Sequence, residues 1–224
     1  MDSFSVPSPE GILFLLIAIV LQSFLIFIPT LNKKAYFCPN NPIMKQSILL
    51  DGPKFQITIK RLCQQLIENH GDFSNSAIIG IQPRGTFLAK RIAKELTEML
   101  GKDVDTGILD ITFFRDDFRL KGNSPLLANS TQIDFIVEGK NVIFVDDVLW
   151  TGRTIRSAMD AIQAFGRSNR IELLCLVDRR FSRQIPIQPD YIGIQVDSID
   201  SQKVIVSWEE VDKEDSVVLI TDKK

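Results

Sequence analysis

Residues 142–154, VIFVDDVLWTGRT, restrict what this chain can fold into more than any other stretch. Val142, Ile143, Phe144 and Val145 make a short, largely β-branched run of the kind that forms a strand buried on both faces. Two carboxylates, Asp146 and Asp147, follow at its C-terminal edge, and Thr151-Gly152 turns the chain into a predicted helix over 154–165 with Ile155, Ala158, Met159 and Ile162 inward. Ligands of α/β sheets bind at that edge. The free N–H groups around Thr151 to Thr154, the two hydroxyls and the helix dipole form a cradle suited to a phosphate dianion. Asp146 and Asp147 are suited to ribose hydroxyls, because ionised carboxylates only accept hydrogen bonds. Paired acids that merely cap a helix, or a Thr-Gly turn alone, are commonplace. The complete pattern in a strand-to-helix context is far more specific.

The rest of residues 44–224 agrees with such a sheet. Ser47 to Leu50 reads as a strand, and Ile59, Leu62, Cys63, Leu66 and Ile67 recur at helical spacing up to Gly71. A second strand, 76–82, ends at Pro83-Arg84-Gly85. The helix after it keeps Leu88, Ile92, Leu96 and Met99 on one face and stops at Gly101. Residues 104–114 read as a strand, 115–131 as a polar loop too long to be idle, and 171–177 as a further strand. From Asp178 on, the chain reads as a cap on the core, with strand-like runs at 203–208 and 217–220. Strands alternating with helices predict right-handed crossovers and a parallel, twisted sheet covered on both faces.

Composition excludes several classes. A net charge of -2 and a pI near 5.5 give no overall drive towards nucleic acid, so any such role must come from particular residues. Cys38, Cys63 and Cys175 are odd in number and lack CxxC spacing, which argues against a disulfide framework and against zinc. His70, the only histidine, reads as a polar helix terminus. It has no nucleophile partner in a recognisable pattern.

Residues 1–43 stand apart. From Gly11 to Leu31 there is no charged residue, long enough for a membrane span, and Lys33-Lys34 after it would leave the following domain in the cytoplasm as a single-pass anchored unit. A cleaved signal peptide fits less well, because the flank before the apolar run is acidic. The preferred reading is a reading frame annotated too early, with translation starting at Met44 and a cytoplasmic product. A native peptide from residues 33–43 in mass spectrometry would contradict that start.

The 142–154 segment resembles the phosphoribosyl pyrophosphate motif of the type I phosphoribosyltransferases along its whole length. Residues 79–85 (IGIQPRG), 110–117 (DITFFRDD), 176–179 (LVDR), 185–187 (IPI) and 190–193 (DYIG) resemble, in order and spacing, the PyrR family of pyrimidine-operon regulators. This likeness covers nearly all of residues 46–220. It implies a type I phosphoribosyltransferase fold, α/β with a C-terminal hood, and transfer of a phosphoribosyl group to uracil, giving UMP and diphosphate. It implies that Asp146, Asp147 and Arg115 are catalytic, and that Asp146, Asp147, Thr151, Gly152, Arg153 and Thr154 bind phosphoribosyl pyrophosphate. Arg84 and Gly85 would hold the leaving pyrophosphate, the loop after Arg115 would close as a flap, and Asp178 and Arg179 would belong to a base-binding hood over 178–193. Mg²⁺ is expected mainly on substrate oxygens, with no protein metal-ligand set assigned, and a homodimer or higher assembly is implied.

Two departures bear on the base. Purine enzymes of the family carry an acid before the Thr-Gly and a lysine on the next strand. Trp150 and Asp178-Arg179 stand there instead, which favours a pyrimidine. The alternative role is a UMP-dependent regulator that binds leader RNA. Arg61 persists on the first helix, but positions that are His and Arg in an RNA-binding member are Gln64 and Asn69, so RNA binding is not favoured.

Overall fold

The computed structural model describes residues 45–116, 128–199 and 201–221. The apolar stretch 11–31, with the whole extension 1–43, lies outside these residues, and so do 117–127 of the polar loop. Among the described residues, no helix is long and apolar enough to cross a membrane.

The central sheet has five parallel strands. In chain order these are β2 (Ser76–Ile81), β3 (Thr106–Leu109), β4 (Asn141–Leu149), β5 (Arg170–Arg180) and β6 (Tyr191–Asp197), arranged spatially as β3-β2-β4-β5-β6. Alternation along the strands sends neighbours to opposite faces. Ile78, Ile143, Val145, Leu174 and Leu176 pack against helices α1 (Gly52–His70) and α2 (Gly85–Leu100). Ile79, Phe144, Leu173 and Cys175 pack on the other side against α3 (Arg153–Ile162). Both faces are therefore dry, as the continuous apolar runs require. Asp51 caps α1 by accepting a hydrogen bond from Lys54 N at 3.1 Å, and Gly71 ends that helix at φ +58°.

A second, antiparallel sheet joins the start and end of the domain: β1 (Lys45–Leu50), β8 (Ser216–Thr221) and β7 (Gln202–Ser207), in the order β1-β8-β7. The short helix α4 (Glu209–Asp212) connects β7 to β8. Trp208, fully buried, meets Phe55 of α1 edge-on at 5.3 Å, and Arg91 of α2 lies 5.1 Å from the Trp208 ring while binding Glu210 and Asp215 at 2.7 Å each. This apolar and ionic seam seats the small sheet on α1 and α2.

Two expectations change. The strand predicted over 104–114 ends at Leu109, because the Asp110 carboxylate takes the Thr112 N–H at 2.9 Å and its hydroxyl at 2.6 Å, and holds Asn129 N at 2.7 Å. That local bonding turns residues 112–114 into a single 3-10 turn. The segment after Asp178 is not only a cap. Strand β5 runs on to Arg180, and β6 completes the central sheet as its edge. Asp178 and Arg179, expected in the base-binding hood, lie near the end of β5, and the β1-β8-β7 sheet forms a separate layer.

His70 ends α1 as expected, and its side chain is buried. Its Nδ1 lies 2.9 Å from Ser76 Oγ and its Nε2 2.8 Å from Glu172 Oε2, while the Tyr191 hydroxyl donates to the same Glu172 oxygen at 2.8 Å. These groups tie α1 to β2, β5 and β6 at the end of the sheet away from the carboxylate pair. Glu172→Ala leaves buried donors unpaired and is expected to cost about 3 kcal/mol in urea unfolding. An unchanged midpoint would contradict that account.

Candidate active site

Strand β4 carries both carboxylates through to its C-terminal end. Asp146 is buried and Asp147 partly so, and each accepts the next residue's N–H: Asp147 N at 3.0 Å and Val148 N at 2.8 Å. Burial pushes the Asp146 carboxyl well above the usual carboxylate range, the neighbouring Asp147 charge adds to this, and the Arg115 charge opposes it. Burial also raises Asp147, with the Arg84 guanidinium as the main opposing influence. Two acids that resist ionising side by side form a site that a cation or a ring of hydroxyl donors completes.

Arg84 stands just before α2 and reaches across to this pair. Its Nε donates to Asp147 Oδ2 at 3.2 Å, and its Nη2 donates to the Val206 carbonyl and to Asp212 Oδ2, the latter at 3.3 Å. Gly85 has a packing role that its place in the loop does not reveal. A Cβ there would lie 2.3 Å from Val145 O and 3.0 Å from Asp146 Cα, so only glycine lets α2 start this close to β4.

The turn after β4 has the expected form. Gly152 adopts φ +89°, and α3 begins at Arg153, so the N–H groups of Arg153 and Thr154 fall in its first turn. The Thr151 hydroxyl accepts Arg153 N at 3.4 Å, and its carbonyl accepts Gln184 N at 3.0 Å and Ile185 N at 3.1 Å. The Arg153 side chain is engaged elsewhere: it pairs with Asp116 and donates from Nε to Gln184 Oε1 at 2.7 Å. Only its backbone N–H faces the turn.

Asp178 and Arg179 reach the region indirectly. The Asp178 carboxylate accepts from Arg183, and Arg179 donates to Ser198 Oγ at 2.9 Å and to Gln202 O at 2.8 Å. The Arg179 guanidinium also lies 5.0 Å from the centre of the Trp150 ring, within cation–π range. A cavity of about 540 Å³ opens beside Asp147, walled by Arg84, Trp150, Arg179 and the β7 residues 204–206. Its size suits a nucleotide fragment. The β7 wall, Asp212 and Arg183 were not identified from the sequence, since their role depends on how the end of the chain folds back.

Cys63 and Cys175 are buried, and burial pushes the Cys63 thiol up to about 12, so neither is a ready nucleophile. Among the described residues, no group of three or more His, Cys, Asp or Glu side chains is placed to hold a metal.

The phosphoribosyl transferase domain family matches residues 45–213 of this chain. A bifunctional protein PyrR of Desulfosudis oleivorans is 44% identical over 177 residues, covering 79% of this chain and 97% of that protein. Another, from Actinobacillus pleuropneumoniae serotype 5b, is 41% identical over 179 residues, covering 80% and 98%. Among solved structures, a hypoxanthine phosphoribosyl transferase of Trypanosoma cruzi aligns with TM-score 0.60 over 78% of this chain and 90% of that one, at 15% identity. A hypoxanthine phosphoribosyltransferase of Staphylococcus aureus gives TM-score 0.56 over 79% and 92%, at 19% identity. At such identities these two likenesses bear on the fold alone.

Proposed function

Because the chain belongs to the phosphoribosyl transferase domain family and, within it, to the PyrR proteins, we propose that it transfers the phosphoribosyl group of phosphoribosyl pyrophosphate to uracil. The products are UMP and diphosphate. The choice of base rests on the PyrR relatives, and the observation that agrees with it is Trp150, whose ring lies 5.0 Å from the Arg179 guanidinium among the residues lining the cavity beside Asp147. An indole face takes a flat base by stacking. Trp150 also stands where a purine enzyme has an acid, and no lysine replaces Arg179 on β5.

In this reading N1 of uracil attacks the anomeric carbon as its C–O bond to diphosphate breaks, the leaving oxygen takes the electron pair, and the N1 proton passes to solvent or diphosphate. The transition state is oxocarbenium-like, so catalysis rests on positioning and on charge. Asp146 and Asp147 accept from the ribose hydroxyls, and the turn at 151–154 holds the 5′-phosphate. Arg84 exchanges Asp147 for the diphosphate, where a guanidinium fork matches a phosphate edge. Arg115, whose charge acts on the Asp146 carboxyl, stands near the reacting centre. Mg²⁺ carried by the substrate would have Asp146 and Asp147 as its nearby carboxylates and would supply neutralisation of the leaving diphosphate. A homodimer or larger assembly in the cytoplasm is part of the same proposal.

Incubation with phosphoribosyl pyrophosphate and each of uracil, hypoxanthine, guanine and adenine tests the reading. Nucleotide is expected with uracil alone. A purine nucleotide in place of UMP would overturn it.

The relatives' description as bifunctional favours a second role, a UMP-dependent RNA-binding regulator. The Arg61 guanidinium, however, donates to the carbonyls of Ile192 at 3.1 Å and Gly193 at 2.6 Å, and to Gln65 at 3.4 Å, so its donors are directed at the protein's own groups. A gel shift on a pyrimidine-gene leader at physiological salt separates the roles: tighter binding with UMP supports regulation, and no change removes it.

A further inference from the structure

We infer that Arg183 is a positioning residue that shapes the phosphate-gripping turn, acting through the backbone of residues 149–151. The inference rests on the assignment of that turn to a 5′-phosphate. It concerns a side chain outside the cavity, since Arg183 is not among the residues that line it.

One guanidinium here meets five acceptors from three segments. It donates to the carbonyls of Leu149, Trp150 and Arg179, to the carbonyl of Ile187, and to the Asp178 carboxylate. Leu149 and Trp150 are where β4 leaves the sheet, immediately before the Thr-Gly turn. The next carbonyl, of Thr151, accepts the N–H groups of Gln184 and Ile185, the two residues that follow Arg183. Every carbonyl from 149 to 151 is thus held by the segment 183–185.

The consequence falls on Gly152. With the three preceding carbonyls fixed, the chain reverses there at φ +89°, and a Cβ at Gly152 would sit 3.4 Å from both Ile185 Cβ and Ile185 O. The turn lies in van der Waals contact with the same segment that holds its carbonyls, and α3 begins at the next residue, so that segment sets the aim of its first N–H groups. A phosphate bound by backbone N–H groups depends on that aim, because its hydrogen bonds weaken steeply with angle. The Asp178 carboxylate, largely buried, keeps the guanidinium in place as a charge-assisted partner. Lysine cannot substitute: an ammonium offers three donors from one point, whereas these acceptors surround a planar fork.

The ligand class affected is the 5′-phosphate monoester. The diphosphate end, held from the Arg84 side, is not reached by this clamp. Calorimetric titration of the full chain with ribose 5-phosphate and, separately, with diphosphate plus Mg²⁺ tests the inference in Arg183→Gln and Arg183→Lys. Ribose 5-phosphate is expected to bind at least about tenfold more weakly in both variants, with diphosphate affinity within about twofold of wild type. Asp178→Asn, which loosens the fork without removing it, is expected to fall between wild type and these variants and serves if the Arg183 variants fold poorly. Unchanged ribose 5-phosphate affinity, or an equal loss of both ligands, overturns the inference. So does a wild-type chain that binds no ribose 5-phosphate. None of these readouts involves the base, so a failure to use uracil counts against the proposed reaction and leaves this result standing.

Discussion

Asp147→Asn is expected to lower kcat/KM for UMP formation by about 10²- to 10³-fold while raising the thermal stability of the ligand-free protein. The two effects share one cause. Asp147 stands beside Asp146 at the end of a buried strand, and burial holds both carboxyls above the usual range even with Arg84 at 3.2 Å. An acid whose pKa is raised by folding binds more protons folded than unfolded. Its stability contribution is therefore present at low pH and is lost as pH rises from about 4 through the raised folded value. At neutral pH the ligand-free site carries charge that the fold disfavours, and the neutral amide removes it. The ribose hydroxyls, Mg²⁺ and the developing positive charge of the transition state all require that charge, so the amide loses turnover. Thermal melts from pH 5 to 8 are expected to show the gap between variant and wild type widening with pH. Near-normal turnover in the variant would remove Asp147 from the mechanism, and a variant less stable than wild type at pH 8 would reverse the electrostatic argument.

Gly85→Ala is expected to be strongly damaging for a single added methyl group. In helix-propensity terms the exchange is favourable by about 1 kcal/mol. Here the added Cβ would lie 2.3 Å from the Val145 carbonyl oxygen and 3.0 Å from Asp146 Cα, both backbone atoms of the central strand that cannot swing aside. Helix α2 must retreat from β4, opening the α1–α2 core layer and carrying Arg84 away from the carboxylate pair. A loss of about 3 kcal/mol or more in urea unfolding is expected, with diphosphate affinity falling alongside. Gly52→Ala is the control: nothing lies within 4 Å of its Cβ position, at the start of α1, so that exchange is expected to be neutral or mildly stabilising. If the two alanines behaved alike, the close approach of α2 to β4 would not be what fixes Gly85.

How much of this was legible in the sequence depends on the range of the forces involved. Strand β4, the Thr-Gly reversal and α3 are written in local patterns, a two-sided apolar run and an amphipathic period, and they appear where expected. Strand β6 was missed although Tyr191, Ile192, Ile194 and Val196 give it apolar residues, because Pro186, Pro189 and Gly193 punctuate the stretch around it. Its Gly193 is there because a Cβ would strike Leu176 O at 2.3 Å. The strand predicted to reach Phe114 stops at Leu109 because one side chain, Asp110, captures the backbone beyond it. Asp178 and Arg179 carried family significance but no local sign of their partners, which come from Arg183, Ser198 and Gln202. Arg84 was readable as a cation in a strand-to-helix loop. That it spans from Asp147 to β7 depends on the small sheet assembled from both ends of the domain.

The most direct test of the central claim is a phosphorus-31 NMR time course of the full chain with phosphoribosyl pyrophosphate, Mg²⁺ and uracil. The account predicts that the donor's diphosphate resonances give way to free diphosphate and UMP in equal amounts, and that neither product forms when uracil is omitted. Intact phosphoribosyl pyrophosphate in the presence of uracil, or diphosphate released without UMP, would contradict it.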